Sequence, residues 1–177
     1  MSYGYKEIEG DLIELALASV FDVVAHGCNC FNTMGAGIAL QMAKTFGCDK
    51  FQKENQFYKG KIDKLGTIDY KKYYWDERTN EIFQSGDILD LGANRLFVVN
   101  AYTQFMYGTN HTDGVSKPLD YEALTLCLRK INHTFKGKHI GLPQIGAGLA
   151  GGDWNRIKQI IQTELKDCDV TVVIYNK

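Results

Sequence analysis

The chain has 177 residues, 45% hydrophobic and 23% charged, a composition typical of one globular α/β domain with a full core. Twenty basic side chains stand against 21 acidic ones, so the formal net charge of -1 excludes a broad positive surface for nucleic acids or other polyanions. No stretch is apolar enough for a membrane span or a signal peptide, and we expect a cytoplasmic monomer.

Short apolar runs rich in β-branched residues predict the strands of a buried sheet. In chain order, these runs are residues 21–25, 96–101, 139–142 and 170–175. Residues 67–74 and 81–84 are more polar and predict exposed, antiparallel strands joined by a turn at 76–80. Because helical patterns alternate with the strands, we expect an α/β fold of three α/β/α layers around a mixed, largely parallel sheet of about six strands.

Apolar residues spaced three and four apart predict three helices. The first spans 34–46, the second begins after Pro118, and the third begins after Asp153, which is a favourable N-cap. No repeat or linker divides the chain, so we expect one domain over residues 1–177. Residues 102–117 are polar and aromatic and predict a long functional loop.

Two glycine-rich segments each connect a predicted strand with a following helix. The first is His-Gly-Cys-Asn-Cys at 26–30 followed by Met-Gly-Ala-Gly-Ile at 34–38, and the second is Pro-Gln-Ile-Gly-Ala-Gly-Leu-Ala-Gly-Gly-Asp at 143–153. Unpaired amides and a helix dipole at such places favour anions, so the pair predicts a crevice that holds one diphosphate. Residues 146–151 also match the dinucleotide-binding G-x-G-x-x-G pattern, but the remaining chain has room for only one further strand.

The five cysteines show no disulfide-framework spacing, which indicates free thiols in a reducing compartment. They are Cys28, Cys30, Cys48, Cys127 and Cys168. His26 lies near two of them, but no second ligand pair follows at the spacing that zinc sites use. We therefore expect no metal and no cofactor, and we interpret Cys28 and Cys30 as small buried residues.

In order and spacing, the motifs resemble those of the macrodomain family. The resemblance is carried by Asp11 after Gly10, by the two blocks at 26–29 and 34–39, and by the block at 143–154, and it spans nearly the whole chain. It is strongest to the branch with yeast-type ADP-ribose 1''-phosphate phosphatases, terminal ADP-ribose glycohydrolases and antitoxin macrodomains that remove ADP-ribose from DNA. ADP-ribose or a derivative is the ligand that this resemblance implies.

The resemblance also implies roles for individual residues. Asp11 and the Leu12 backbone would bind adenine, and Asn29 would hold the distal ribose. One side of the distal ribose and diphosphate would be lined by Gly35, Ala36, Gly37 and Ile38. The opposing phosphate-binding amides would come from Ile145, Gly146, Ala147, Gly148 and Leu149.

Several of these side chains have a structural alternative. His26 ends a buried strand and could be a hydrogen-bonded core histidine, while Asp11 and Asp153 could simply cap helices. Tyr102, with Phe105 and Tyr107, could stack on the ligand or anchor its own loop. We include Tyr102 and Thr103 among the predicted ligand-binding residues.

Three hypotheses for the function stay open. The first, implied by the resemblance, is a hydrolase that removes phosphate from ADP-ribose 1''-phosphate, with His26 and Asp153 as the catalytic acid–base residues. The second is removal of ADP-ribose from protein or DNA, although relatives that form a lysine adduct carry Lys near Thr103 and an acid near Ala150. The third is a reader or sequestering module without catalysis.

Overall fold

The computed structural model describes residues 3–51, 60–75, 82–84, 94–106, 118–148 and 150–175. Its strands are β1 (Tyr5–Glu9), β2 (Val23–Asn29), β3 (Ile68–Trp75), β4 (Ile82–Gln84), β5 (Asn94–Gln104), β6 (His139–Leu142) and β7 (Asp169–Ile174). Its α-helices are α1 (Leu12–Leu17), α2 (Gly37–Phe46), α3 (Tyr121–Thr134) and α4 (Trp154–Glu164).

The strands of the described residues form one mixed sheet in the order β1-β7-β6-β2-β5-β3-β4. Strands β1, β7, β6, β2 and β5 are parallel, and β3 and β4 add an antiparallel edge. The predicted α/β class is confirmed, with seven strands in place of about six. The additional strand is β1, whose sequence Tyr-Lys-Glu-Ile-Glu is half-exposed at the sheet edge and contains no apolar run.

Helices cover both faces of the sheet. The core on one face contains Leu124 and Leu128 of α3 with Ile157 and Ile161 of α4. The core on the other face contains side chains of α1 and α2, such as Met42. This arrangement confirms the three predicted layers.

Element boundaries follow the predictions closely where apolar residues define them. Strand β6 has the predicted bounds, and α3 and α4 begin directly after the caps Asp120 and Asp153. Strand β2 begins two residues late and continues through the polar residues 26–29, because these residues pair with β5. Helix α2 begins at Gly37 rather than at 34, because Ala36 is still extended (φ -154°).

Parallel strands bring the carboxyl ends of β1, β6, β2 and β5 to the same edge of the sheet. The second glycine-rich segment begins at this edge, directly after β6, and the first reaches it at Asn29, the last residue of β2. The predicted turn at 76–80, residues 107–117 with Tyr107, and Leu149 lie outside the described residues. No helix in the described part of the chain is long and apolar enough to cross a membrane.

Candidate functional site

A crevice of about 450 Å³ opens at this carboxyl edge, between the two glycine-rich segments. The first segment contributes residues 27–29 and 35–39, with Thr33 between them, the second contributes 143–146, 148 and 150, and the end of β5 contributes Thr103 and Gln104. The two segments therefore face each other across one crevice, as their sequences predict.

The described residues that line the crevice carry no charge. Their polar side chains are amides and hydroxyls, namely those of Asn29, Thr33, Thr103, Gln104 and Gln144. The donors that the described lining can offer an anion in this crevice are therefore neutral. Such donors bind anions without the salt-sensitive field of a basic patch.

The N-terminus of α2 opens into the crevice. Ala36 is its N-cap and supplies no side-chain hydrogen bond, so the first-turn amides lack the usual capping partner. Gly37 has a φ of +63°, a conformation that glycine adopts without strain. With the positive end of the helix dipole, these amides are available to an anion.

The second segment presents only some of its predicted amides. The Ile145 amide donates to the Pro143 carbonyl at 2.7 Å, and the Ala147 amide donates to the Gln144 carbonyl at 3.1 Å. The turn itself therefore occupies these two amides, and their use for phosphate stays a prediction. Gly146 (φ +77°) and Gly148 line the crevice, and neither amide donates to another part of the chain that the structure describes.

Asn29 ends β2 at the crevice and organises the loop that follows it. Its Oδ1 accepts hydrogen bonds from the amides of Phe31 and Thr33 at 3.0 and 3.1 Å, and its Nδ2 donates to the Thr33 carbonyl at 2.8 Å. The second Nδ2 hydrogen remains for a ligand, because a primary amide has two donors. Asn29 therefore lines the predicted site and also shapes it.

Asp11 follows β1 at the same sheet edge and caps α1. Its Oδ1 accepts hydrogen bonds from the amides of Ile13 and Glu14 at 3.0 and 3.1 Å. Asp11 is therefore the N-cap of α1, as the structural alternative predicts. Strand β1 lies two strand spacings from β6, or roughly 10 Å from the second segment. The Leu12 side chain is buried, so only its backbone can contact a ligand, as proposed from the resemblance.

Tyr102 does not line the crevice, and its predicted role as a ligand-stacking residue is wrong. Its ring is completely buried, and its hydroxyl lies 2.5 Å from Asp69 Oδ2 and accepts from Asn32 Nδ2 at 3.2 Å. Burial and the neighbouring carboxylate raise the pKa of Tyr102. The residue supports the loop that contains Asn32. Phe105 also serves as a loop anchor, because its ring packs against Phe31 at a centroid distance of 5.4 Å.

His26 lies below the crevice, in the core, and not on the crevice surface. Its ring is completely buried, and its Nε2 lies 2.8 Å from Asn100 Oδ1. The Asn100 Nδ2 donates to the Cys48 carbonyl at 2.8 Å, so Oδ1 is the acceptor and Nε2 carries the proton of a neutral ring. Burial lowers the pKa of His26 to about 4. The structure therefore shows His26 as the hydrogen-bonded core histidine of the structural alternative, and its catalytic role stays a prediction.

The thiols near the crevice are protonated. Burial raises the pKa of Cys28 well above its usual value, and it raises the pKa of Cys30 to about 11. Cys28 lines the crevice, but a buried thiol whose pKa is raised stays protonated and is a poor nucleophile. The interpretation of Cys28 and Cys30 as small buried residues is confirmed.

Asp153 caps α4 and does not line the crevice. Its exposed carboxylate accepts from the Asn155 amide at 3.0 Å, and its own amide donates to the Tyr121 hydroxyl at 2.8 Å. This geometry shows the capping alternative, and the catalytic role of Asp153 stays a prediction.

Replacing Asp153 with Ala should lower the free energy of unfolding by about 1 kcal/mol, because α4 loses its N-cap. Asp153→Asn keeps a capping oxygen and should retain most of the stability. Urea unfolding of the three proteins checks this. Equal stability of the Ala variant and the wild type would contradict the capping role, and ligand affinity should be the same in all three.

Three polar lining residues were not predicted, namely Thr33, Gln104 and Gln144. Gln144 lies inside the second glycine-rich segment, and Gln104 directly follows Thr103 at the end of a predicted strand. The sequence places both residues at or just after the carboxyl end of a predicted strand. Because ligands often bind at such strand ends, this position could have identified them as lining residues.

No family model matches the chain. A relative of similar length nevertheless places it in a family. It is 33% identical to an uncharacterised 17.5 kDa protein of the tk–vs intergenic region of Enterobacteria phage T4, over 95% of this chain and 94% of that protein.

Two solved structures show the fold. The macrodomain of Thermus aquaticus DarG has 21% identity and a TM-score of 0.59, covering 98% of this chain and 99% of that chain. Thermosipho africanus DarTG in complex with ADP-ribose has 17% identity and a TM-score of 0.62, covering 99% of this chain and 43% of that chain. The chain therefore belongs to one family with the phage T4 protein and has the macrodomain fold.

Proposed function

We propose that the crevice binds ADP-ribose or a derivative of it. The observation that carries this proposal is the pair of facing amide donors, the first turn of α2 on one side and Gly146 with Gly148 on the other. A diphosphate carries oxygens on two adjacent phosphorus atoms and can accept from both sides at once. The complex of DarTG with ADP-ribose, whose fold this chain shares, supports the same ligand.

The order of the strands suggests how the ligand lies. Asp11 follows β1, the second segment follows β6, the first follows β2, and Thr103 lies near the end of β5. Adjacent strands are about 4.8 Å apart, so these positions form a row of roughly 19 Å. We place adenine at Asp11, the diphosphate between the segments, and the distal ribose toward Asn29 and Thr103.

ADP-ribose should stabilise the folded protein, and ADP, which lacks the distal ribose, should do so less. At a concentration of 100 Kd, a ligand that binds only the folded state adds about 2.7 kcal/mol. Thermal shift and calorimetry with ADP-ribose, ADP and AMP measure this ranking. Ribose 5-phosphate is the control, because it has neither adenine nor diphosphate. No binding of ADP-ribose at millimolar concentration would overturn the proposal.

A second candidate function is hydrolysis at the distal ribose, with ADP-ribose 1''-phosphate as the first substrate to test. Three neutral polar side chains favour it, since Asn29, Thr103 and Gln104 line the end of the crevice where that ribose is placed. They can orient water by hydrogen bonds, but none is an acid–base group at neutral pH. Proton transfer must then use the substrate's own phosphate or a residue outside the described lining.

Product analysis separates the candidates. Release of phosphate from ADP-ribose 1''-phosphate would support the phosphatase, and loss of the label from ADP-ribosylated DNA or from an ADP-ribosylated acidic peptide would support a glycohydrolase. Tight ADP-ribose binding without turnover of any of the three would leave a reader or sequestering module. An Asn29→Ala variant serves as the negative control for turnover, because it removes a lining donor and loosens the loop at 30–33.

A further inference from the structure

The floor of the crevice holds a buried hydroxyl group that the described part of the chain leaves without a hydrogen-bond partner. This group is the Oγ1 of Thr103. The residue is only 1% exposed, yet it lines the crevice. Burying a hydroxyl without a partner is unfavourable, so such groups are rare unless something else binds them.

A β-bulge places Thr103 at this position. Cys28 of β2 pairs with Tyr102, but the next residue, Asn29, pairs with Gln104, so Thr103 is the extra residue of β5. Its own carbonyl accepts from the Asp120 amide at 2.9 Å, which fixes the bulged backbone. Bulges redirect side chains and occur often beside ligand sites.

Because Gly27 has no side chain, nothing at position 27 packs over the hydroxyl. A Cβ atom at this position would lie 2.8 Å from Thr103 Oγ1 and 3.3 Å from Ile145 Cγ1. Any larger residue would therefore cover the hydroxyl and narrow the gap to Ile145. The bulge, the unpartnered oxygen and the missing side chain at Gly27 all point to the same location.

We infer that Thr103 Oγ1 forms a hydrogen bond with an oxygen of the distal ribose, or of the group attached to it, and so selects ligands that carry this sugar. The inference rests on the proposed function and names a specificity residue within that site. Among the strands whose carboxyl ends form the crevice edge, β5 lies farthest from Asp11. It is separated from the second glycine-rich segment by β2. A ligand with adenine at Asp11 therefore brings its distal sugar, and not its diphosphate, to Thr103.

Thr103→Val removes the hydroxyl and keeps the shape of the side chain. We expect it to weaken ADP-ribose binding about tenfold, the loss of one net hydrogen bond at a buried site. ADP binding should change less than twofold, because ADP has no distal ribose. Thr103→Ser should restore most of the affinity for ADP-ribose, since it restores the hydroxyl. Thr163→Val is the matched control, because it removes an exposed hydroxyl of α4 that bonds to the Gln159 carbonyl.

The stability of the free protein gives an independent measurement. Because the hydroxyl has no partner in the described part of the chain, Thr103→Val should leave the melting temperature unchanged or raise it. A lowered melting temperature would assign Thr103 a structural hydrogen bond and overturn the inference.

The calorimetric outcomes separate this inference from the proposed function. If the wild type binds no ADP-ribose, the proposed function itself fails. If the wild type binds ADP-ribose and Thr103→Val binds it equally well, only the inference fails. Equal losses of affinity for ADP and ADP-ribose would place the hydroxyl at the diphosphate and would also overturn the assignment to the distal sugar.

Discussion

Replacing Gly35 with Glu is expected to lower the affinity for ADP-ribose by at least about 100-fold, because it places a carboxylate where the diphosphate is proposed to bind. Like charges held next to each other at an interface cost several kcal/mol. The crevice has no cation among its described lining residues that could offset the added charge. Neutral amide donors bind a diphosphate only as long as no anion competes for them.

The fold should tolerate this substitution. A Cβ atom at Gly35 meets nothing within 4 Å, and the residue does not have a positive φ. Gly35→Gln is the matched control, because Gln has the size of Glu without its charge. Calorimetry should show a much smaller loss for Gln than for Glu, and both variants should melt near the wild-type temperature. Equal losses of affinity for the two variants would mean that the size of the side chain at position 35, and not its charge, weakens binding.

The sequence predicts the fold well for those helices and strands whose two ends are marked by apolar residues. Strand β6 and helices α3 and α4 follow directly from their apolar spacing and caps. Strand β1 was not predictable in this way, because a half-exposed edge strand needs few apolar residues. The polar end of β2 was also missed, since pairing with β5, and not local composition, extends it.

The site was predictable in its backbone and less so in its side chains. Glycines at strand ends correctly located the two facing segments. Which amides remain free depends on the turn at 143–148, whose internal hydrogen bonds no residue pattern reveals. The face of a strand that a side chain occupies also decides its role. His26 lies two residues from both Val24 and Cys28, so its side chain points to the same face of β2 as theirs. Val24 and Cys28 belong to the core on the side of α1 and α2, and this alternation argues for a buried His26 ring.

The buried neutral ring of His26 should make the protein lose stability in mild acid. Burial lowers the pKa of His26 to about 4, while an unfolded chain has a histidine pKa near 6.5. Between these values the unfolded chain binds a proton that the folded protein does not, so the free energy of unfolding falls as the pH falls. From pH 7.5 to pH 4.5 this one residue contributes a loss of about 2.5 kcal/mol.

His26→Gln tests this expectation, because Gln can still donate to Asn100 Oδ1 but does not titrate. The variant should be less stable than the wild type at pH 7.5, since Gln fills the space of the ring poorly. Its stability should nevertheless decline less between pH 7.5 and 4.5, by about 2.5 kcal/mol. Urea unfolding of both proteins at several pH values measures the difference, in which contributions from other titrating groups cancel. Parallel pH profiles of the two proteins would mean that the His26 ring binds its proton as readily in the folded protein as in the unfolded chain. His26 would then not be a neutral core residue below the crevice.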